Sequence, residues 1–254
     1  MNKILVNGYL GKMGQEVVRA VDNSDRFQMQ CYVDSYSNQP GKFNNSKNIP
    51  EDVLNQVDCV VDFTNSKGLI EIAKIVLPKK IPLVSGSTGY NNETLEEIDA
   101  LSKDNNIGVA LCSNFSTGAI LLSHLGSIAA KYYEYAELIE SHHENKLDAP
   151  SGTAISIANS ISSEKKDSFK KVNSQINKVD NTRGGDGAGI NIHSLRLPGF
   201  IAKHELIFGA QGENLTITHN SSDRASFMPG VLLAVEYVIN SNEFVVGLEK
   251  ILGL

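Results

Sequence analysis

Residues 140–154, ESHHENKLDAPSGTA, gather two adjacent histidines, a lysine, three carboxylates and a Pro-Ser-Gly-Thr turn into one short stretch. Histidine titrates near neutrality and can give or take a proton, and a lysine close by supplies positive charge or a second proton. Pro150-Ser151-Gly152-Thr153 has the form of a helix start. Ser151 would be the N-cap, and the amides of Gly152 and Thr153 would point outward at the positive end of the helix, where carboxylates bind. Three readings compete: a metal site, a proton-transfer site and a solvated polar loop. His142 and His143 are neighbours on an expected strand, where successive side chains point to opposite faces, so they are poorly placed to share one ion. Zinc sites more often use separated pairs such as HExxH or CxxC, and no metal is expected here. A polar strand end explains the charges but not the concentration of acid-base groups. Proton transfer beside an anion-binding helix terminus explains more of the residues, provided that a turn at Glu144-Asn145 lets His142 and Lys146 converge. That arrangement suits a small carboxylated substrate.

A second constellation lies at the N-terminus, where VNGYLGKMG sets Gly8, Gly11 and Gly14 after a strand pattern and into a helix pattern. Glycines here let the backbone turn tightly and approach a pyrophosphate held at the helix N-terminus. The spacing is GxxGxxG, a relative of GxGxxG, and alone it is a weak signal. It gains weight from Asp34, which closes the second strand pattern QMQCYVD, where an acid can accept hydrogen bonds from an adenosine ribose. An acid there favours NADH over NADPH. Ser35, Tyr36 and Ser37 offer no cation for a 2′-phosphate, although Lys12 in the glycine loop leaves NADPH open. Two further strand ends, SGSTG at 85–89 and CSNFS at 112–116, would flank the nicotinamide or be ordinary turns.

The elements that must position these groups are legible as periodicity. KILVNG, QMQCYVDS, DCVVDFT, IPLVSGST and IGVALCSNF alternate with helical patterns, which predicts a doubly wound parallel α/β sheet of the Rossmann kind. From about residue 116 a second unit begins, with the helix TGAILLSHLGSIAAKYY and the strand YAELIESHH. NIHSLRL, KHELIFG and NLTITHNS then predict an open mixed or antiparallel sheet, and FMPGVLLAVEYVINS a final helix with Pro229 near its start. Between these lies a polar stretch, residues 162–189, short of apolar residues and ending in TRGGDGAG; it is either a lid or a tolerated excursion.

Composition narrows the partners. The 254 residues are 41% hydrophobic, enough to bury a substantial core, and the net charge is -6. No basic stripe is present to bind nucleic acid. No apolar run is long enough to span a bilayer, and the chain enters a strand pattern at once without a leader, so a cytoplasmic location and no membrane partner are expected. Cys31, Cys59 and Cys112 are far apart and odd in number, which points to buried free thiols.

The string ELIESHHENKLDAPSGTA closely resembles the E-HH-x-x-K-x-DAPSGTA signature of the dihydrodipicolinate reductase family, also called the 4-hydroxy-tetrahydrodipicolinate reductases. VNGYLGKMG, VDFT at 61–64, GSTG at 86–89, SNFSTG at 113–118 and KHELIFGAQGENLTITHNSSDRASF follow in the family's order. The resemblance implies reduction of 4-hydroxy-tetrahydrodipicolinate by NADH or NADPH, with loss of water, on the diaminopimelate route to lysine. By position, it makes His142 the general acid/base and Lys146 the proton donor, with His143, Gly152 and Thr153 binding the carboxylates of a small dicarboxylate substrate. Gly8, Tyr9, Leu10, Gly11, Lys12, Met13, Asp34, Gly86, Ser87, Thr88, Cys112, Ser113, Asn114 and Phe115 match the cofactor segments. It further implies a discontinuous dinucleotide-binding domain, 1–115 plus 225–254, around a substrate-binding and oligomerisation domain, 116–224, and a homotetramer. Three departures stand out: RLPGFIAKH replaces a glycine-rich turn before His204, Ser35 replaces a basic residue of some members, and 162–189 follows no family pattern. An aspartate dehydrogenase or a cofactor-sensing module are the competing readings; retention of both His142 and Lys146 argues against the second.

Overall fold

The computed structural model describes residues 1–39 and 41–254. β1 (Asn2–Asn7) carries Ile4, Leu5 and Val6 into the interior, and α1 (Lys12–Asp22) turns Val17 and Val21 inward at helical spacing. There follow β2 (Phe27–Val33), α2 (Glu51–Leu54), β3 (Cys59–Asp62), α3 (Ser66–Val76), β4 (Leu83–Ser85), α4 (Asn92–Asn105) and β5 (Val109–Leu111). Every residue of β3, β4 and β5 is buried, as parallel strands covered on both faces must be. Side chains fix the helix starts. Asn65 accepts from the amides of Lys67 and Gly68 to cap α3, and Asn91 accepts from Thr94 to cap α4.

The chain then builds α5 (Thr117–Ala130), β6 (Tyr135–His142), α6 (Gly152–Ser163), β7 (Gly185–Gly187), β8 (Ile190–Arg196), β9 (Ala202–Ala210) and β10 (Glu213–Ser221). These strands form a mixed sheet in the order β10-β9-β6-β8-β7, in which only the β6–β8 pairing is parallel. Ala136 and Leu138 of β6 pack with Ala154, Ile157 and Ile161 of α6 and Leu122 of α5 in one core. Since side chains alternate along a strand, Glu140 and His142 share that inward face.

α7 (Met228–Asn240) and β11 (Phe244–Val246) return to the first sheet, where β11 pairs parallel with β5. Six parallel strands run in the order β11-β5-β4-β3-β1-β2, the doubly wound, Rossmann-like pattern that the alternation of elements predicts. The chain leaves β1 for β2 on one side and leaves the adjacent β3 for β4 on the other, and the crevice beyond the carboxyl ends of two such strands is where ligands of open α/β sheets bind. The compact units are Met1–Phe115 with Phe227–Leu254, and Ser116–Ser226. Among the described residues no helix is long and apolar enough to cross a membrane. The three cysteines are buried and free.

Two elements depart from expectation. β11 is three residues long, too short for its periodicity to show in the sequence. Residues 162–189 are not devoid of packing: α6 extends to Ser163, β7 pairs with β8, and Phe169 enters the core with its ring 6.3 Å from that of Phe208. The Lys165 ammonium lies 4.7 Å over the Phe169 ring and donates to the carbonyls of Ala130 and Tyr133. One aromatic side chain flanked by polar residues gives no periodic signal, yet it anchors the segment. Replacing Phe169 by Ala should lower stability by about 3–5 kcal/mol, read as a reduced midpoint of guanidinium unfolding followed by circular dichroism.

Candidate active site

β6 places Glu140 and His142 two residues apart on one face, and its neighbours complete the row. Glu140 pairs in register with Ser194 of β8 and His204 of β9, and His142 with Arg196 and Ala202. Glu140 is fully buried, and each of its oxygens is occupied. Oε1 accepts from Arg196 Nη2 at 2.8 Å and from the Ser151 amide at 3.3 Å; Oε2 accepts from Arg196 Nη1 at 3.1 Å and from His142 Nδ1. Burial alone would raise the Glu140 pKa, but the hydrogen bonds from His142 and Arg196 outweigh it and hold the carboxyl at about 2. An ionised carboxylate can only accept, so His142 Nδ1 is the donor, and in the neutral ring that tautomer leaves the Nε2 lone pair for chemistry. His204 packs edge-on against His142 with ring centroids 5.5 Å apart, and its Nδ1 is buried without a hydrogen-bond partner among the described residues. Burial, and then the neighbouring His142, push its pKa down to about 4, so His204 is neutral at physiological pH.

Beyond β6 the chain turns at Glu144-Asn145 as its sequence predicts, with the Lys146 amide donating to the His143 carbonyl. The Lys146 ammonium is held by Asp148 at 2.8 Å, and this ion pair lowers the Asp148 pKa. Asp148 in turn offers its carbonyl to Arg196 Nη2 at 2.6 Å, so the half-buried arginine grips both Glu140 and the DAPSGT segment. Ser151 caps α6 by accepting from the Ala154 amide at 3.1 Å. Its hydroxyl is thus spent on the third amide of the helix, not on Gly152 or Thr153. Gly152 is exposed with open space where a Cβ would stand, Thr153 is half-buried, and His143 is half-buried just past the strand end. His142, His143, Lys146, Gly152 and Thr153 all fall within Ser116–Ser226. Among the described residues no group of three His, Cys, Asp or Glu side chains is disposed to hold a metal ion.

The glycine loop belongs to the other unit. Gly8 adopts a left-handed φ of +86°, and a Cβ there would meet the Phe63 carbonyl at 2.7 Å. Gly14 is demanded by packing, since its Cβ would fall 2.0 Å from the Gly8 carbonyl oxygen. Gly11, at the N-cap of α1, brings no capping side chain, so the first amides of this helix are left for an anion. Lys12 and Leu10 are exposed, Met13 is half-buried, and Tyr9 is buried with its hydroxyl 2.9 Å from Ser37 Oγ. Asp34 takes the Leu10 amide on one oxygen and the Tyr36 amide on the other, each at 3.0 Å. It therefore braces the glycine loop, while each oxygen keeps a lone pair that a ribose hydroxyl could use. A dinucleotide fits this donor set: an uncapped helix start, a loop without side chains and an acid beside it.

At the ends of the next strands, Asp62 is fully buried and accepts four hydrogen bonds: from Asn7 Nδ2 at 2.8 Å, Thr64 Oγ1 at 2.6 Å, Ser85 Oγ at 2.7 Å and Ser87 Oγ at 2.7 Å. Burial pushes its pKa up against the pull of these neutral donors. The carboxyl ends of β1, β3 and β4 are thereby tied together beneath Gly86, Ser87 and Thr88. Of the third segment, Cys112 and Phe115 are buried, with the Phe115 ring 5.6 Å from Phe63, so only Ser113 and Asn114 reach the surface by side chain. Burial raises the Cys112 thiol to about 12, which removes it from acid-base chemistry.

Glu140, Arg196, His204 and Asp62 were not among the candidates that motif spacing singles out. Glu140 carried a local signal, being two residues before His142 on the same strand face. Arg196 and His204 carried none, because only the register of β8 and β9 against β6 brings them in.

Two family models match the chain: "Dihydrodipicolinate reductase, N-terminus" over residues 2–115 and "Dihydrodipicolinate reductase, C-terminus" over residues 118–252. The chain is 39% identical to the 4-hydroxy-tetrahydrodipicolinate reductase of Dehalococcoides mccartyi strain CBDB1, over 99% of this chain and 98% of that protein. It is 36% identical to the protein of that name from Listeria innocua, over 98% and 99%. Among solved structures, the dipicolinate-bound dihydrodipicolinate reductase from Paenisporosarcina sp. TG-14 superposes with a TM-score of 0.89 at 32% identity, covering 98% of this chain and 99% of that one. An aspartate dehydrogenase from Thermotoga maritima, at 12% identity and a TM-score of 0.51 over 93% of this chain and 96% of that one, shares the fold alone.

The two shifted groups at the β6 row make stability fall in acid. His204 lies below its ordinary 6.5, so below that pH the unfolded chain binds a proton that the folded chain refuses until about pH 4. Glu140 repeats this lower down, between its ordinary 4.5 and about 2. The urea midpoint should therefore decline from pH 6.5 downward in two overlapping stages; His204→Gln should flatten the upper stage and Glu140→Gln the lower.

Proposed function

The chain belongs to the dihydrodipicolinate reductase family, NAD(P)H-dependent oxidoreductases, and from that premise we propose how its residues divide the work of reducing 4-hydroxy-tetrahydrodipicolinate to tetrahydrodipicolinate on the diaminopimelate route to lysine. Elimination of water takes a proton from the ring and returns one to the departing hydroxyl; the reduction then takes up a hydride and one further proton. The nicotinamide cofactor, when bound, supplies the hydride. His142 is the general acid/base, exchanging protons through Nε2, and Lys146 delivers the proton that completes the reduction once substrate draws it from Asp148. The α6 start, through Gly152 and Thr153, and His143 hold the carboxylates of the small dicarboxylate substrate.

Residues 1–115 with 225–254 bind the dinucleotide, and 116–224 bind substrate and assemble a homotetramer, acting in the cytoplasm. Gly8 to Met13 receive the pyrophosphate, Asp34 the adenosine ribose, and Gly86 to Thr88 with Cys112 to Phe115 the nicotinamide end. The absence of a cation at Ser35, Tyr36 and Ser37 supports NADH as the preferred cofactor. The observation that carries the assignment of roles is the geometry of the 140–154 segment. One end presents a histidine with its tautomer fixed by Glu140, and the other a helix start whose capping hydroxyl is engaged at Ala154.

The purified protein, given freshly generated 4-hydroxy-tetrahydrodipicolinate, should oxidise NADH or NADPH; no oxidation of either would refute the assignment. His142→Ala and Lys146→Ala should each lower kcat by about 10²- to 10⁴-fold with little change in NADH affinity measured by fluorescence. Asp34→Ala should weaken both cofactors, since the Leu10 amide loses its anchor, and NADH more than NADPH; equal losses would remove the ribose role.

A further inference from the structure

A buried ion pair is an expensive way to hold strands together, because desolvation costs as much as the attraction returns, and a well-packed apolar pair often does as well. Arg196 alone would satisfy Glu140 through its two Nη atoms. Glu140 nevertheless also accepts from His142 Nδ1 and from the Ser151 amide, so that β6, β8 and the start of α6 converge on one carboxylate with no exposure to water. Arg196 reaches onward to the Asp148 carbonyl, beside the ion pair that holds Lys146, and the Leu197 amide donates to the His142 carbonyl at 3.0 Å. Both halves of the 140–154 segment therefore take their position from the same anion.

We propose that Glu140 is a positioning residue of the reductase: it fixes the tautomer and ring orientation of His142 and, through Arg196 and the Ser151 amide, sets the start of the DAPSGT segment against it. The proposal rests on the assignment of proton exchange to His142. Glu140 touches no substrate atom; it decides which ring nitrogen bears the proton, and a histidine with the other tautomer presents an N–H where a lone pair is needed.

Glu140→Gln keeps the shape but puts an NH2 where one oxygen must accept, so either His142 or the arginine fork loses its partner. kcat should fall by about 10²-fold, while NADH affinity by fluorescence titration stays within about twofold of the parent, as befits a positioning role. Imidazole 15N shifts, with the His142 signal identified by its loss in His142→Asn, should show the Nδ1-protonated form in the parent and its depletion in Glu140→Gln. In a His142→Asn background Glu140→Gln should cost far less kcat than in the parent, only the part that the placement of the DAPSGT segment carries. A folded Glu140→Gln protein with parental kcat and tautomer overturns the proposal, as does an equal kcat loss with and without His142. If His142→Asn itself keeps parental kcat, the assignment of His142 has failed; a tautomer shift in Glu140→Gln would then still report the contact, which tells the two failures apart. Should Glu140→Gln not fold, Glu140→Asp retains the charge at shorter reach, and the same kcat loss with unchanged NADH affinity is expected. Parental kcat in that variant, with the His142 tautomer unchanged, counts against the proposal.

Discussion

A carboxylate withdrawn from water has to be answered by donors, and the arrangement of the second unit follows from how Glu140 is answered. Its partners come from β8, from the end of its own strand and from the first residue of the α6 cap. Slipping the β6–β8 register by one residue would send Arg196 to the opposite face and strand a buried charge, at a cost of several kcal/mol. The same anion thus specifies strand register, the placement of the turn that follows β6 and the state of the histidine ring. The RLPGF connection, unlike the family's usual glycine-rich turn, begins at this arginine. Its Gly199 takes a φ of +91°, so a tight turn is made by different residues and Arg196 keeps its place.

The first unit solves a similar problem with different chemistry. Asp62 is as buried as Glu140 but is met only by an amide and three hydroxyls, and its pKa rises where that of Glu140 falls. Among the described residues no cation offsets its desolvation. Its value lies in geometry: Asn7, Thr64, Ser85 and Ser87 stand at the ends of three adjacent strands, and one carboxyl fixes the spacing of the loops that leave them. Two buried acids, one charge-paired and one hydroxyl-caged, hold the loops of the two units.

What the sequence made legible follows from distance along the chain. The alternation of apolar strands and amphipathic helices was readable because each period is local, and so was the 140–154 motif, whose members are contiguous. Asp34 was readable as an acid at a strand end, but its bracing of Leu10 and Tyr36 was not, because that depends on how the glycine loop closes over β2. Arg196 and His204 lie more than fifty residues from Glu140 and join it only through pairing of β8 and β9 with β6. Phe169 sat unrecognised in a polar stretch because a single buried ring has no periodicity. β11 was hidden for the same reason, three residues being too few to show a pattern.

The return of α7 and β11 to the first sheet bears on how the molecule is made. During synthesis the continuous unit, Ser116–Ser226, is fully delivered while the first sheet still lacks its last strand and the helix containing Val231, Ala234 and Val235. Domains fold as units in the order in which their residues emerge. The chain of the continuous unit is thus complete before that of the first sheet, whose β5 edge stays uncovered until Phe244–Val246 arrive. That edge is the surface a nascent chain, or one truncated before Phe244, would offer to a chaperone or to its neighbours.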